Sequence, residues 1–380
     1  MIDISDNQAG RARPTFVMAR PHRTVIAHGR GERFDSAAEA AAHLRNGQND
    51  MIVGALPFVP DEPAALWAPE RVSVTAERYR PASSKALPPF EFEDSIPSPE
   101  EHARRVASVV GKLCDEENSL QKVVLARAIH ARAEQPVEAV ELLDRLVSTD
   151  PAGNGFLVDL SAAGDLYRGK HLVGASPEIL INRNGSVVFS HPLAGSTNRE
   201  PDPRADRVAA EILLGSAKDL REHQYVVDQV GRCLQKFCGN VDISGPSLTA
   251  TPNMWHLGTT ITATVADAGP SALELAAALH PTPAICGTPT TEAARVIASL
   301  EGRRGFYAGA VGWCDSDGNG EWVVSIRCAE LSSDQQRLVA YAGSGIVAGS
   351  DPHAELAETT AKFQRVLRPL GITEASVAVT

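Results

Sequence analysis

Tyr341-Ala-Gly-Ser-Gly-Ile-Val-Ala-Gly-Ser-Asp-Pro-His-Ala-Glu-Leu-Ala-Glu-Thr-Thr-Ala-Lys362 is the stretch around which the 380-residue chain is organised. The apolar run 338–342 leads into it as a strand. Gly343, Gly345 and Gly349 then allow a sharp turn and a close backbone approach to a ligand. Ser350 or Asp351 can cap a helix whose first turn accommodates Pro352. On that helix Glu355 and Glu358 are three apart and share a face, and Lys362 follows one turn later. Backbone donors, two carboxylates and a lysine thus converge near one point.

The segment Gly343-x-Gly345-x-x-Ala348 formally matches a dinucleotide fingerprint. Only 32 residues follow Ala348, and they offer no second strand with an acidic end for a ribose. Nicotinamide and flavin binding are set aside.

Length allows two domains or one large α/β domain. With 43% hydrophobic and 22% charged residues the composition is that of a globular protein. A net charge of −11 argues against nucleic acid as a partner, and the short basic stretch Arg71–Arg80 reads as a solvated face. The six cysteines show neither CxxC pairing nor zinc spacing, which points to buried thiols in a reducing compartment. A polar N-terminus and the lack of an apolar run of about 18 residues predict a cytosolic, cytoplasmic protein with no membrane contact.

In chain order, strands are expected at 15–20, 23–29 and 51–58, with an alanine-rich helix at 36–44 between the last two. The proline-rich segment 80–98 reads as a linker or long loop. Ser98-Pro-Glu-Glu101 is a capping box starting a helix to about Glu117. The strand from Gln121 places Lys122, Val124, Ala126 and Ala128 on one side. Strands at 155–160, 171–181 and 186–190 precede two helices, one capped by Asp202 and ending near Gly215, the other at 219–237. A strand at 259–265 and helices at 272–279 and 291–300 lead to strands at 305–313, 321–330 and 338–342. This order predicts layered α/β or α+β architecture.

Asp219 and Glu222 form a second acidic i, i+3 pair on the 219–237 helix. Four carboxylates brought together need a cation, and hard oxygen ligands suit magnesium; acids on solvated helix faces are the alternative. Glu178 follows Pro177 within a largely apolar strand, where burial raises its pKa and makes it either a general acid or a structural partner of an arginine. Lys122 is a buried base or a strand-edge gatekeeper. Arg327, alone in a core-like strand, requires a carboxylate from the protein or from a substrate. His223 and His256 read as ligands, acid–base groups or simple hydrogen-bonding residues.

In this order, Lys122-Val-Val-Leu-Ala-Arg, Gly174-Ala-Ser-Pro-Glu, Pro192-Leu-Ala-Gly-Ser-Thr-Asn-Arg199, Lys218-Asp-Leu-Arg-Glu-His, His256-Leu-Gly, His280-Pro-Thr-Pro-Ala-Ile-Cys-Gly287, Ser325-Ile-Arg-Cys-Ala and the Gly343 stretch resemble the chorismate-utilising enzymes. That group comprises the isochorismate, salicylate, anthranilate and aminodeoxychorismate synthases. The similarity is strong over 98–371, with 1–97 resembling the N-terminal part of the isochorismate synthases, and it implies one structural domain of two similar sheet-and-helix halves enclosing the site. It also implies Mg2+ held by Glu222 and Glu358 with Asp219 and Glu355 in support. Arg327, Tyr307, Gly343 and Gly345 would hold the pyruvyl carboxylate of chorismate, and Ala194, Gly195, His256, Ala284 and Lys362 would complete the substrate site. Lys122 would activate the water that attacks C2, and Glu178 would protonate the departing C4 hydroxyl. The implied partner is small-molecule chorismate, taken up by a monomeric chain.

Three positions choose within the resemblance. Lys122 matches the water-using members, Ala194 lacks the lysine of aminodeoxychorismate synthases, and Ala284 lacks the threonine of members that also eliminate pyruvate. Isochorismate synthase is the expected activity. Tyr307, a tyrosine as in the salicylate synthases, keeps that lyase as the alternative, and a non-catalytic chorismate-binding protein is the reading from another class.

Overall fold

The computed structural model describes residues 13–82, 86–251, 254–266 and 268–372. Two antiparallel sheets carry the fold. The first runs Gly287–Thr288, Lys122–Ala133, Arg337–Ile346, Cys328–Leu331, His171–Gly174, Gly155–Asp159, Pro14–Arg20, Arg23–His28, Arg71–Thr75. The second runs Gly239–Ile243, Ile261–Thr264, Val187–His191, Ile179–Asn184, Gly320–Val324, Ala310–Asp315, Met51–Leu56, Ala65–Trp67, Arg33–Phe34. A small third sheet joins Leu193–Asn198, Met254–Gly258 and Ser247–Ala250.

The strand Pro14–Arg20 shows why the sheets stack. Its Phe16 and Met18 enter the large core shared by both sheets, whereas Val17 and Ala19 enter a second core beneath helices Ala139–Thr149 and Pro352–Leu367. Apolar residues on both faces make such a strand a continuous hydrophobic run. The helix Ala139–Thr149 buries Leu142, Leu143, Leu146 and Val147, a 3.6-period stripe worth roughly 1.5–3 kcal/mol per side chain as an upper bound. Ser36, Ser98, Asp202, Ser216 and Asp351 cap their helices by accepting from first-turn amides.

Several sequence expectations are corrected. Within 80–98, Phe90–Ile96 is a strand paired to Lys122–Ala133. Its Phe-Glu-Phe-Glu alternation packs Phe90 and Phe92 on the second core, a period-2 signal that the surrounding prolines masked. The helix after Ser98 ends at Leu113, because Asp115 and Asn118 turn their side chains back onto the amides of Glu117 and Leu120. The expected strand at 305–313 begins only at Ala310, after hydrogen-bonded turns over Arg304–Gly309. Leu193–Asn198, Gly239–Ile243, Ser247–Ala250 and Met254–Gly258 are strands that the pattern did not announce. The stretch Arg71–Thr75 is an edge strand with all five residues exposed, in keeping with a solvated face.

Two corrections reach the site. The expected strands at 171–181 and 321–330 each divide into two, with the halves in different sheets. Two of the three glycines of the opening stretch do not turn the chain: Gly343 and Gly345 lie inside the strand Arg337–Ile346, and only Gly349 sits in the turn that follows, where the Ser350 amide donates to the Val347 carbonyl at 2.9 Å. Of the six free cysteines only Cys286, Cys314 and Cys328 are buried. Among the described residues no helix is long and apolar enough to cross a membrane.

Candidate active site

The chain leaves the first sheet for the second at residues 175–178 and returns at 325–327. Pro177 can donate nothing to a ladder, which explains the first break. At the second, Arg327 adopts φ 53°, a left-handed conformation that costs a non-glycine residue energy and has to be held by its surroundings. The crossovers lie side by side: the Ala175 amide donates to the Arg327 carbonyl at 3.0 Å, and the Val324 amide to the Glu178 carbonyl at 3.1 Å. Glu178 and Arg327 consequently face one cavity between the sheets.

That cavity gathers most of the residues singled out from sequence. Glu178, Ala194, Gly195, Glu222, His256, Ala284, Tyr307, Arg327, Gly343, Gly345, Glu358 and Lys362 line it. Lys122, Asp219 and Glu355 stand just behind. A Cβ on Gly345 would overlap Glu222 Oε1 and come within 3.0 Å of Lys122 Cε, and one on Gly195 would come within 3.0 Å of Asp219 Cβ. At Gly345, then, glycine serves the close approach of a carboxylate to the strand.

Burial pushes the Glu178 carboxyl up to about 7, outweighing the Leu193 backbone hydrogen bond and the pull of Lys122, Lys362 and Arg327. The same cause brings Arg327 down to about 10. Among the described residues no carboxylate lies within ion-pair distance of Arg327; its two terminal nitrogens approach only Met254 Sδ, at 3.7 Å. A buried guanidinium without a counter-ion, facing a cavity, is an anion site. His256 is held well below the usual imidazole range by burial and by Arg327 and Lys362, so it faces the cavity neutral. His223 is brought to about 4 chiefly by burial and bonds Thr259 Oγ1 at 2.7 Å, a structural role away from the cavity.

Three glutamates each hold a lysine. Lys122 Nζ is 3.1 Å from Glu222 Oε1, Lys218 Nζ 2.9 Å from Glu355 Oε1, and Lys362 Nζ 2.6 Å from Glu358 Oε1. The first pair is close but poorly aligned, since Lys122 Nζ makes no hydrogen bond. Ser196 Oγ donates to Glu358 Oε1 at 3.0 Å, and Lys362 also reaches the Gly343 carbonyl at 2.9 Å. Burial pushes the Glu358 carboxyl up, yet Lys362 and Ser196 together hold it below the usual range. Burial and the Glu358 charge raise Glu355.

No three His, Cys, Asp or Glu side chains among the described residues are gathered closely enough to enclose a metal. The donor chemistry nevertheless fits a hard cation. Glu222 and Glu358 line the same cavity with oxygen donors, and the buried Glu355 Oε2 has no hydrogen-bond partner.

Sequence reasoning gave no role to Ser196, Lys218 or Tyr341, whose ring stacks on Tyr307 at 4.8 Å and 12°. Neither Lys218 nor Ser196 carried a local signal, since their partners Glu355 and Glu358 lie on a distant helix.

The family model of the chorismate binding enzymes matches residues 62–371. The chain belongs to the chorismate-binding enzyme family. Isochorismate synthases are among its relatives over nearly the whole length of both chains. A Mycobacterium tuberculosis protein provisionally assigned as isochorismate synthase MenF is 45% identical, covering 94% of this chain and 96% of that one. The isochorismate synthase DhbC of Bacillus subtilis is 41% identical over 94% of each chain. A crystal structure of a provisionally assigned 2,3-dihydroxybenzoate-specific isochorismate synthase from Bacillus anthracis superimposes with a TM-score of 0.87 at 37% identity, covering 96% of this chain and 98% of that one. The two-sheet architecture is therefore the fold of the chorismate-binding enzymes, as the resemblance implied. Isochorismate synthases are in general metal-dependent.

Proposed function

We propose that the protein is an isochorismate synthase that interconverts chorismate and isochorismate. The observation that carries the reading is the juxtaposition, across one cavity, of a buried Arg327 with no carboxylate partner among the described residues and a buried Glu178 whose carboxyl is pushed up to about 7. In the proposed reaction water adds at C2, both ring double bonds shift, and the C4 hydroxyl leaves as water.

Arg327 fixes the pyruvyl carboxylate, with Tyr307 and the Gly343–Gly345 backbone beside it. Glu178 delivers the proton to the departing C4 hydroxyl, and Lys122 takes one from the attacking water; one water enters and one leaves. Ala194, Gly195, His256, Ala284 and Lys362 complete the substrate surface. Magnesium, held by Glu222 and Glu358 with Asp219 and Glu355 behind them, would supply the Lewis-acid grip on the ring carboxylate. Ala284 brings no hydroxyl to the cavity, which supports a reaction that stops at isochorismate.

Chromatography after incubation with chorismate and magnesium tests this: isochorismate and no aromatic product is the expected result. Salicylate would establish the lyase that Tyr307 favours, and anthranilate formed with ammonium would overturn the role of Lys122. The product would feed menaquinone or siderophore synthesis according to the neighbouring enzymes. Residues 1–97 and 98–371 we read as one domain, because Pro14–Arg20 extends the first sheet and Met51–Leu56 the second. A cytoplasmic monomer completes the reading, its free thiols being consistent with a reducing compartment.

A further inference from the structure

We infer that Arg20, in the N-terminal strand and outside the cavity, is a positioning residue that ties the first crossover to the strand feeding the second and so sets Glu178 and Arg327 in register. Its Nε lies 2.7 Å from Glu321 Oε1, with the two side chains only 12% and 10% exposed. Its NH1 donates to the Ser176 carbonyl at 3.2 Å. Ser176 belongs to the first crossover, and its Oγ accepts from the Glu178 amide at 3.2 Å. Glu321 belongs to the strand Gly320–Val324, which runs directly into the second crossover and whose Val324 amide holds the Glu178 carbonyl. One guanidinium thus holds, from a strand of the first sheet, the first connection and the strand that leads into the second.

The arrangement needs arginine. A planar fork can direct one N–H to a carboxylate and another to a carbonyl at once, whereas an ammonium on a flexible stem cannot hold both in fixed geometry. The Glu321 carboxylate is itself fixed by Asn182 Nδ2 at 3.3 Å. Neighbouring Arg23 lies over the Trp313 ring at 5.4 Å, so this corner of the first sheet meets the second at two points. No other tie of this kind reaches the Ser176 carbonyl among the described residues. Without Arg20 the carbonyl loses its donor, and the residues around Glu178 gain freedom to admit water.

The inference rests on Glu178 as the general acid, and the experiment separates the two. Arg20→Gln, Arg20→Lys and Glu178→Gln are compared for kcat, KM, the pH dependence of kcat and thermal stability. Arg20→Gln is expected to lose roughly ten- to a hundredfold in kcat, the scale of a small misplacement of reacting groups. Its alkaline limb should move to lower pH as Glu178 becomes better solvated. Arg20→Lys keeps the charge opposite Glu321 and should fold even if Arg20→Gln does not, with kcat lowered and the limb displaced in the same direction. A merely structural arginine would lower the melting temperature and leave kcat, KM and the limb at wild-type values in Arg20→Lys, which overturns the inference. Full activity in Glu178→Gln would instead overturn the acid assignment on which it rests.

Discussion

The Ala175 amide donates to the Arg327 carbonyl at 3.0 Å, so the two places where the chain changes sheets are zipped together along their backbones. The residues proposed for proton delivery and anion binding, Glu178 and Arg327, occupy those two places. Each sheet alone is an ordinary antiparallel layer; the cavity exists because both crossovers break the ladder at the same height. A residue at such a break is freed from the strand's alternation, so Glu178 and Arg327 can face one space.

Glu178→Gln should lower kcat by roughly 10²- to 10⁴-fold, the usual worth of a positioned general acid. It should also stabilise the protein at alkaline pH. Burial raises the folded carboxyl from 4.5 to about 7, so between these values the folded state holds a proton that the unfolded chain releases. Stability is therefore lost as pH rises through that window, by on the order of 3 kcal/mol. Melting curves without substrate should coincide for wild type and variant at pH 4.5 and separate in favour of the variant at pH 8. A variant less stable at pH 8 would contradict the buried carboxylate, and one that turns over normally would overturn the assignment of Glu178 as the general acid.

Arg327→Met should separate binding from folding. The buried guanidinium has no protein carboxylate among the described residues, so an apolar side chain of similar length should be neutral or stabilising in the free protein. Chorismate should no longer raise the melting temperature of the variant. Arg327→Lys keeps the charge but loses the fork, and KM should rise roughly ten- to a hundredfold, equivalent to a charged hydrogen bond of about 1.5–3 kcal/mol. An unchanged chorismate response in Arg327→Met would remove Arg327 from the substrate site.

How far the sequence went is visible in these same residues. Caps and apolar periodicity located the helices other than Ala139–Thr149, because both signals are local. The ordered motifs marked the chorismate-binding fold and brought Glu178, Arg327, Glu222 and Glu358 into one expected site. Residues 171–181 and 321–330 misled: an apolar run reads as one strand whether it stays in a sheet or crosses to another, and only the partner strands decide. The partners of Glu358 and Glu355, namely Ser196 and Lys218, depend on helix and strand placement across more than 100 residues of chain, which no local pattern encodes.

The glycines of the opening stretch should respond differently to the same substitution. In Gly345→Ala the new methyl overlaps Glu222 Oε1, so Glu222 must move from the cavity wall, and both activity and stabilisation by magnesium should be lost. Gly343→Ala meets Tyr307 Oη at 2.9 Å and Leu125 O at 3.1 Å, and its cost should be intermediate. Nothing lies within 4 Å at Gly349, where alanine should be tolerated. If Gly349→Ala proved the most damaging of the three, the close-approach account of Gly345 would be wrong.

Lys122 and Glu222 form a buried pair whose members should fail alone and recover together. Lys122 is fully buried and Glu222 nearly so, at 3.1 Å. Removing either charge leaves the other uncompensated, a loss of about 3–5 kcal/mol in comparable pairs. Lys122→Met and Glu222→Gln should each lower the melting temperature, whereas the double variant should regain much of it, the coupling being read as the departure from additivity. Recovery should be confined to stability. The double variant lacks both the proposed base and a proposed cation ligand, so its turnover should stay at background and its melting temperature should respond weakly to magnesium. Glu222→Gln alone should shift the magnesium titration of the melting temperature to higher concentration. A titration superimposable on wild type would exclude Glu222 as a ligand and leave it only the role of neutralising Lys122.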